Sequence, residues 1–240
     1  LGTVFGQACL FTTEPDPFIK LWRAWKRYLV NANLRSTSAV LGFPRIGPQR
    51  EVKKALEAYW GDKISAEELL KVAKEQRLNT YATIKEQGVD FVPTGTFSLY
   101  DHVLDMSNTL GIIPEAYAKS GLSQLDTYFA MARGHQKGGV DLPATEMKKW
   151  FDSNYHYLVP EFSEKSEFKL NDNKPVDDFI EAKEAGYNAR PVILGPLTLL
   201  WLGKTSKDAQ DPNFNRYSLL PKLAQTYVQL FEKLAAAGAP

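Results

Sequence analysis

The spacing of apolar residues predicts strands and helices in alternation along most of the chain. Residues 39–43 form a continuous apolar run, which is typical of a strand buried on both faces. An apolar stripe with helical spacing follows over residues 50–60. A second helix is predicted over residues 65–88, because Ser65 and Glu68 have the spacing of a capping box.

The later part of the chain continues this alternation. Its predicted elements are, in order, a strand at 89–93, a helix at 142–154, a hairpin insert at 161–170, a helix at 176–185, a strand at 191–196 and a helix at 217–237. Strands separated by helices indicate βα units around a parallel sheet. We therefore expect an α/β fold.

Residues 1–36 have a different pattern. Residues 18–29 place apolar side chains on one helical face and Lys20, Arg23 and Arg27 on the other. Such a basic amphipathic helix could lie on an anionic membrane or fill a partner's groove. The alternative is an extension, or sequence foreign to the domain, without such a role, and the pattern favours this alternative. We expect a leader at residues 1–36 and one domain at residues 37–240.

Composition narrows the class of protein. The 240 residues are 44% hydrophobic and 24% charged, as in ordinary soluble domains. Residues 1–36 carry a net charge of +3 and the remainder −2, so we expect no nucleic-acid binding. Cys9 is the only cysteine, which excludes an intramolecular disulfide and indicates reducing cytosol. No long apolar run or secretory signal occurs, and we expect a cytoplasmic protein without membrane contact.

Three cations lie on the polar face of the helix predicted at residues 50–60. Arg50, Lys53 and Lys54 project together near the helix start, where exposed N–H groups also favour negative charge. This arrangement suits a multiply charged anion. The alternative is a solvated face on which Glu57 pairs with the lysines, and the pattern alone favours that alternative.

Five blocks of sequence resemble a known family, in the family's order. They are LGFPRIG with REVKKA (residues 41–55), FSLYDHVLD (97–105), DTYFAMARG (126–134), EMKKWFDSNYHY (146–157) and PVILGPLT (191–198). Over about residues 37–239 the chain closely resembles the amino-terminal domain of cobalamin-independent methionine synthases. Five ordered blocks are far more specific than one short motif.

The resemblance implies methyl transfer from 5-methyltetrahydropteroyltri-L-glutamate to L-homocysteine, giving methionine. It implies a partial TIM-type (β/α) barrel, the amino-terminal barrel of a two-barrel enzyme that uses zinc and no cobalamin. Zinc and homocysteine would belong to the carboxy-terminal barrel, so neither catalytic residues nor metal ligands are expected in this chain. The family's contacts to the folate polyglutamate tail correspond to Arg50, Glu51, Val52 and Lys53, with Lys149 as a separate contact.

Some features depart from the family or leave alternatives open. Thr96 stands where the family usually has Asp, so an acid at that point is absent. Because the resemblance ends before the remaining barrel strands, we expect an incomplete, self-associating domain that is inactive alone. A non-catalytic partial barrel that binds anions or polyglutamate, or an interaction module, is the alternative function.

Other candidate groups have weaker support. His102, His135 and His156 are far apart in sequence and have no cysteine partners, so structural positions are favoured over metal binding. Asp101 and Asp105 could shape a barrel mouth or serve as paired carboxylates of a hydrolase, although helix capping and packing explain them equally well.

Overall fold

The computed structural model describes residues 37–240, which contain both helices and short strands. The helices are α1 (Glu51–Trp60), α2 (Ala66–Glu86), α3 (His102–Thr109), α4 (Glu115–Ala118), α5 (Gln124–Arg133), α6 (Lys174–Glu184), α7 (Pro196–Leu202) and α8 (Leu220–Ala237), the last preceded by a 3-10 turn at Arg216–Leu219. The strands are β1 (Val92–Thr94), β2 (His135–Lys137), β3 (Val140–Leu142), β4 (Met147–Lys149), β5 (His156–Leu158), β6 (Glu161–Phe162), β7 (Ala189–Pro191) and β8 (Lys204–Thr205). The amphipathic segment expected at 18–29 lies outside the described residues.

The parallel sheet is built around β1. Strand β1 pairs in parallel with β7, in the register Val92 to Ala189. The successive amides of Phe91 and Val92 donate to Ser38 O and Asn188 O, so β1 has a neighbour on each edge. Long helices connect these parallel segments, as the α/β expectation requires. The described residues form no closed barrel.

The remaining strands form three small sheets. Strands β2 and β3 are an antiparallel hairpin, and so are β4 and β5, in which Lys149 lies opposite His156. Strand β6 pairs in parallel with β8. Each of these strands has only two or three residues, so their positions depend on packing against the helices.

The helices that the sequence predicted are largely confirmed, because each has a buried apolar stripe or a capping signal. In α1 the buried residues are Val52, Ala55 and Leu56, spaced i, i+3 and i+4, and they pack in one cluster with α2. Helix α2 begins with the capping box of Ser65 and Glu68, both halves of which are formed. Helices α6 and α8 match their predicted ranges closely.

Two strand predictions were wrong in place. Residues 39–43 form no buried strand: Ala39 makes a single bridge to Phe91, and Leu41 is 85% exposed. A fully buried strand needs a neighbouring strand on each edge. The apolar composition of residues 39–43 does not provide these neighbours, and the described residues contain no second neighbour for this segment. The later strand, β7, ends at Pro191 and overlaps its predicted range of 191–196 only at that residue, and Pro196 instead starts α7 as a helix-initiating proline.

Two further predictions were wrong in type. Residues 142–154 form no helix; they contain the end of β3, strand β4 and the turn that leads to β5. Burial of Tyr157 and Leu158 on the paired strand β5 outweighs the local helical spacing. Residues 161–170 form no hairpin, since β6 pairs in parallel with β8, forty residues later in the chain.

Candidate functional site

The start of α1 is a tight loop that presents Arg50 to solvent. Arg50 has φ +62° and its amide donates to Gly47 O at 3.1 Å, while Gly47 itself has φ +85°. The Glu51 carboxylate accepts the amide of Gln49 at 3.0 Å and lies beside Gly47. A side chain at Gly47 would meet that carboxylate, so glycine suits both the backbone angle and the contact. The loop thereby fixes where α1 begins.

The residues predicted to contact the tail are divided between the two faces of α1. Arg50, Lys53 and Lys54 are exposed, whereas Val52 is 1% exposed and packs in the core. Lys53 forms an ion pair with Glu57 one turn later, as the solvated-face alternative expected. Arg50 and Lys54 are open to solvent, and binding of an anion at this face stays a prediction.

Lys149 lies apart from α1, at the end of β4. Its side chain is exposed, and no ion pair joins it to another of the described residues. The neighbouring Lys148 is 3.4 Å from Glu146. A tight turn follows, in which the amide of Trp150 donates to Tyr155 O at 2.7 Å and Phe151 has φ +51°. Lys149 therefore sits at the base of a turn rather than on the helix that the sequence predicted.

Asp101 connects the β4–β5 hairpin to α3. This carboxylate is fully buried and accepts three hydrogen bonds. Its Oδ2 accepts the amides of Leu104, in α3, and Leu158, in β5, each at 3.0 Å. Its Oδ1 accepts the hydroxyl of Tyr155 at 2.8 Å. The capping interpretation of Asp101 is confirmed, and the same side chain also anchors a hairpin more than fifty residues away.

The residues around Tyr155 reinforce this contact. The ring of His102 stacks on Tyr155, with centroids 5.6 Å apart, and meets the Trp150 ring edge-on at 4.9 Å. Nδ1 of His102 lies 3.1 Å from the Tyr155 hydroxyl. Since that hydroxyl donates to Asp101, Nδ1–H of His102 is its donor. Burial and the Asp101 charge both raise the pKa of Tyr155 above its usual range, so the hydroxyl stays protonated.

Arg45 holds the segment just before Asp101. Its Nη1 donates to the carbonyls of Ser98 and Leu99 at 3.0 and 3.2 Å, and its Nη2 donates to Tyr100 O at 2.8 Å. The planar guanidinium matches three successive carbonyls in a way that a lysine could not. Sequence reasoning placed Arg45 within a family block without assigning it a task, and no local pattern signals these distant contacts.

A cavity of about 400 Å³ opens at the carboxyl ends of β1 and β7. Its wall is mainly apolar and includes Thr96, His102, Asp105, Trp150, Lys174 and Ile193. Parallel sheets of α/β proteins commonly hold ligands at this end of their strands. The lining includes Thr96 but none of Arg50, Lys53 and Lys149.

A buried ion cluster closes the base of the cavity. Lys174 Nζ is 2.6 Å from Asp178 and 3.6 Å from Asp105, and it also donates to Phe97 O at 2.8 Å. Burial opposes the charge of Lys174, but Asp178 and Asp105 outweigh it and raise the lysine's pKa. Burial raises the pKa of Asp105 despite the nearby ammonium. With Asp105 in this cluster and Asp101 fully bonded, neither is placed like the exposed acid pair of a hydrolase.

Metal and membrane features are limited. Among residues 37–240 no group of three His, Cys, Asp or Glu side chains could hold a metal ion. His102, His135 and His156 thus belong to no such group in this part of the chain. No helix among the described residues is long and apolar enough to cross a membrane.

Comparison of the sequence with known proteins identifies its family. A family model described as the cobalamin-independent synthase N-terminal domain matches residues 37–240. The chain is 55% identical over 208 residues to a probable 5-methyltetrahydropteroyltriglutamate–homocysteine methyltransferase of Schizosaccharomyces pombe, and 53% identical over 208 residues to the corresponding enzyme of Saccharomyces cerevisiae. A Chelativorans relative of the same name is 50% identical over 211 residues. Each alignment covers 84% of this chain and 27% of the relative.

Fold and site together define an α/β domain that presents exposed cations on a helix start and on a hairpin. The chain belongs to the cobalamin-independent synthase family and corresponds to its N-terminal domain. It spans about a quarter of the length of the curated relatives that it matches, 27% in each case cited above.

Proposed function

We propose that this chain forms part of a methyltransferase that moves the methyl group of 5-methyltetrahydropteroyltri-L-glutamate to L-homocysteine, giving methionine. The names of relatives at 50 to 55% identity support this activity. In this proposal residues 37–240 are part of a (β/α) barrel, the amino-terminal one of two, and the protein is cytoplasmic. The parallel arrangement of β1 and β7 with connecting helices agrees with such a barrel.

The chain's own contribution is to bind the folate polyglutamate tail. The observation that carries this proposal is the exposure of Arg50 and Lys53 on α1 and of Lys149 on the hairpin. A triglutamate tail carries several carboxylates, to which Arg offers a planar pair of donors and Lys a point charge. Val52 is buried and its amide already donates to Ile46 O, and Glu51 is itself anionic, so in this proposal Arg50 and Lys53 supply the attraction of α1 for the tail.

The sulfur chemistry belongs to groups outside the described residues. Zinc, which the family resemblance implies, would favour the ionised form of the homocysteine thiol. The described residues do not fit that metal, because they contain no suitable cluster of ligands. In this proposal the described residues therefore bind the folate by its tail. This binding limits the translational and rotational freedom of the methyl donor.

Binding of mono- and triglutamyl folates to the chain tests the tail site. We expect Arg50→Ala and Lys53→Ala each to weaken the triglutamate about tenfold, roughly 1.4 kcal/mol, and to affect the monoglutamate little. Lys71→Ala, an exposed position of α2, is the control for loss of one positive charge. Lys149→Ala should behave like the α1 variants, and Lys148→Ala is its control on the same strand. Equal losses for both folates would remove the tail assignment.

A further inference from the structure

We propose that Arg45, Asp101 and Tyr155 are positioning residues that hold the α1 cations and Lys149 at a fixed separation. They would thereby set the preference for a ligand whose carboxylates match that separation. This inference rests on the tail site proposed above, and it assigns the preference for a long tail to residues that need not touch the ligand. Three sets of contacts carry the argument.

The first set ties α1 to the segment before α3. Ile46 O accepts the amide of Val52, so the loop that contains Arg45 is bonded to the first turn of α1. Arg45 then donates to three successive carbonyls, those of residues 98–100, at 2.8 to 3.2 Å. A shift of α1 away from this segment would leave these half-buried carbonyls without their donors, which is costly.

The second set ties the same segment to the hairpin. Asp101 follows directly after the three residues whose carbonyls Arg45 binds. Its carboxylate accepts hydrogen bonds from the Tyr155 hydroxyl and from the amide of Leu158. The amides of Tyr100 and Asp101 donate to the hydroxyl of Tyr128 at 3.0 and 3.4 Å, which fixes the segment against α5. A continuous path of hydrogen bonds thus runs from the α1 loop to the hairpin that bears Lys149.

The third set shows why the hairpin depends on this path. Strands β4 and β5 have three residues each, and an isolated hairpin of that size is marginal in water. Exposed lysines contribute little to binding unless their geometry is fixed beforehand, because ordering the side chains costs conformational entropy. The Tyr155–Asp101 bond and the stacked His102 ring supply that order at the turn beside Lys149.

The negative charge of Asp101 allows a positioning role to be distinguished from a purely electrostatic effect. Loss of a carboxylate near an anion site should strengthen anion binding if charge alone mattered. If Asp101 is a positioning residue, its loss should instead weaken binding of the triglutamate and leave binding of the monoglutamate unchanged. Tyr155→Phe removes one hydroxyl without changing any charge at neutral pH, so it tests geometry alone.

The experiment measures the ratio of monoglutamyl to triglutamyl folate Kd for the 240-residue chain, well below the melting temperature. We expect Tyr155→Phe, Asp101→Asn and Arg45→Lys each to lower this ratio about three- to tenfold. Tyr157→Phe is the matched control, since its hydroxyl lies on the same hairpin but donates to Leu202 O, outside the path. It should leave the ratio unchanged.

A double-mutant cycle separates positioning from general destabilisation. Tyr155→Phe should have no further effect on the ratio when Lys149 is already alanine, because the position of an absent ammonium cannot matter. If Lys149→Ala lowers the ratio and Tyr155→Phe does not, the positioning inference is wrong and the tail site stands. If the unmodified chain shows no preference for the triglutamate, both proposals fail. If Asp101→Asn does not fold, Tyr155→Phe and Arg45→Lys decide the matter.

Discussion

The α1 helix and the β4–β5 hairpin both present cations to solvent, but they are held in place by different means. Helix α1 carries its own anchor, since Val52, Ala55 and Leu56 are buried directly beneath Arg50 and Lys53. In the hairpin, β5 buries Tyr157 and Leu158, but β4 exposes all three of its residues, and the turn beside Lys149 is held by Asp101 and the His102 ring, which come from elsewhere in the chain. A cation on α1 is thus fixed locally, whereas Lys149 is fixed by distant contacts.

The largest expected effect of this contrast is on the free energy of unfolding. Leu56→Ala should lower the free energy of unfolding by about 2–5 kcal/mol, because it opens a cavity beneath α1. Met147→Ala, at a 43% exposed position of β4, should cost less than about 0.5 kcal/mol. Urea denaturation of both variants measures the two values. Similar losses would mean that the β4 side chains are packed as tightly as the buried face of α1, and the contrast would be false.

A smaller effect is expected at the loop before α1. Gly47→Ala should cost roughly 1–2 kcal/mol, because φ +85° is unfavourable for alanine. It should also weaken triglutamate binding, since the new side chain would displace Glu51 beside Arg50. Gly138→Ala is the control: φ is +63° in the β2–β3 turn and nothing lies within 4 Å. If Gly47→Ala leaves binding unchanged, the loop does not place Arg50.

The smallest expected effect comes from ion pairs near the cations. Glu57→Gln releases Lys53 from its exposed ion pair and should raise triglutamate affinity by less than about fivefold. Glu146→Gln should leave that affinity unchanged, because Glu146 pairs with Lys148 and Lys204 rather than with Lys149. Isothermal titration of both variants at one ionic strength compares them. A larger gain from Glu146→Gln would reverse the assignment of Lys148 and Lys149.

The same contrast explains how much could be predicted from the sequence. Helices with a local signal, such as α1 with its buried stripe and α2 with its capping box, lie where the pattern put them. The hairpin was mistaken for a helix at residues 142–154, because its pairing and its anchor on Asp101 come from outside the segment. Likewise, residues 39–43 have the composition of a buried strand, but only Ala39 bridges a neighbour among the described residues.

The residues of the candidate site also differ in whether the sequence predicted them. Family resemblance supplied Arg50, Lys53 and Lys149, and the structure exposes all three. It also supplied Val52, whose side chain faces the core and whose amide already donates to Ile46 O. Arg45 and Tyr155, the proposed positioning residues, were not found from the sequence, because their hydrogen bonds span more than fifty residues and no periodicity records them.

The tip of the hairpin also has an optical consequence. Phe151 packs against Trp201 of α7, with ring centroids 5.6 Å apart, and Trp201 is 52% exposed. Trp150, on the same turn, touches His102 and Tyr157. Any displacement of the turn must change the surroundings of both indoles, so intrinsic fluorescence emission offers a label-free record of its motion.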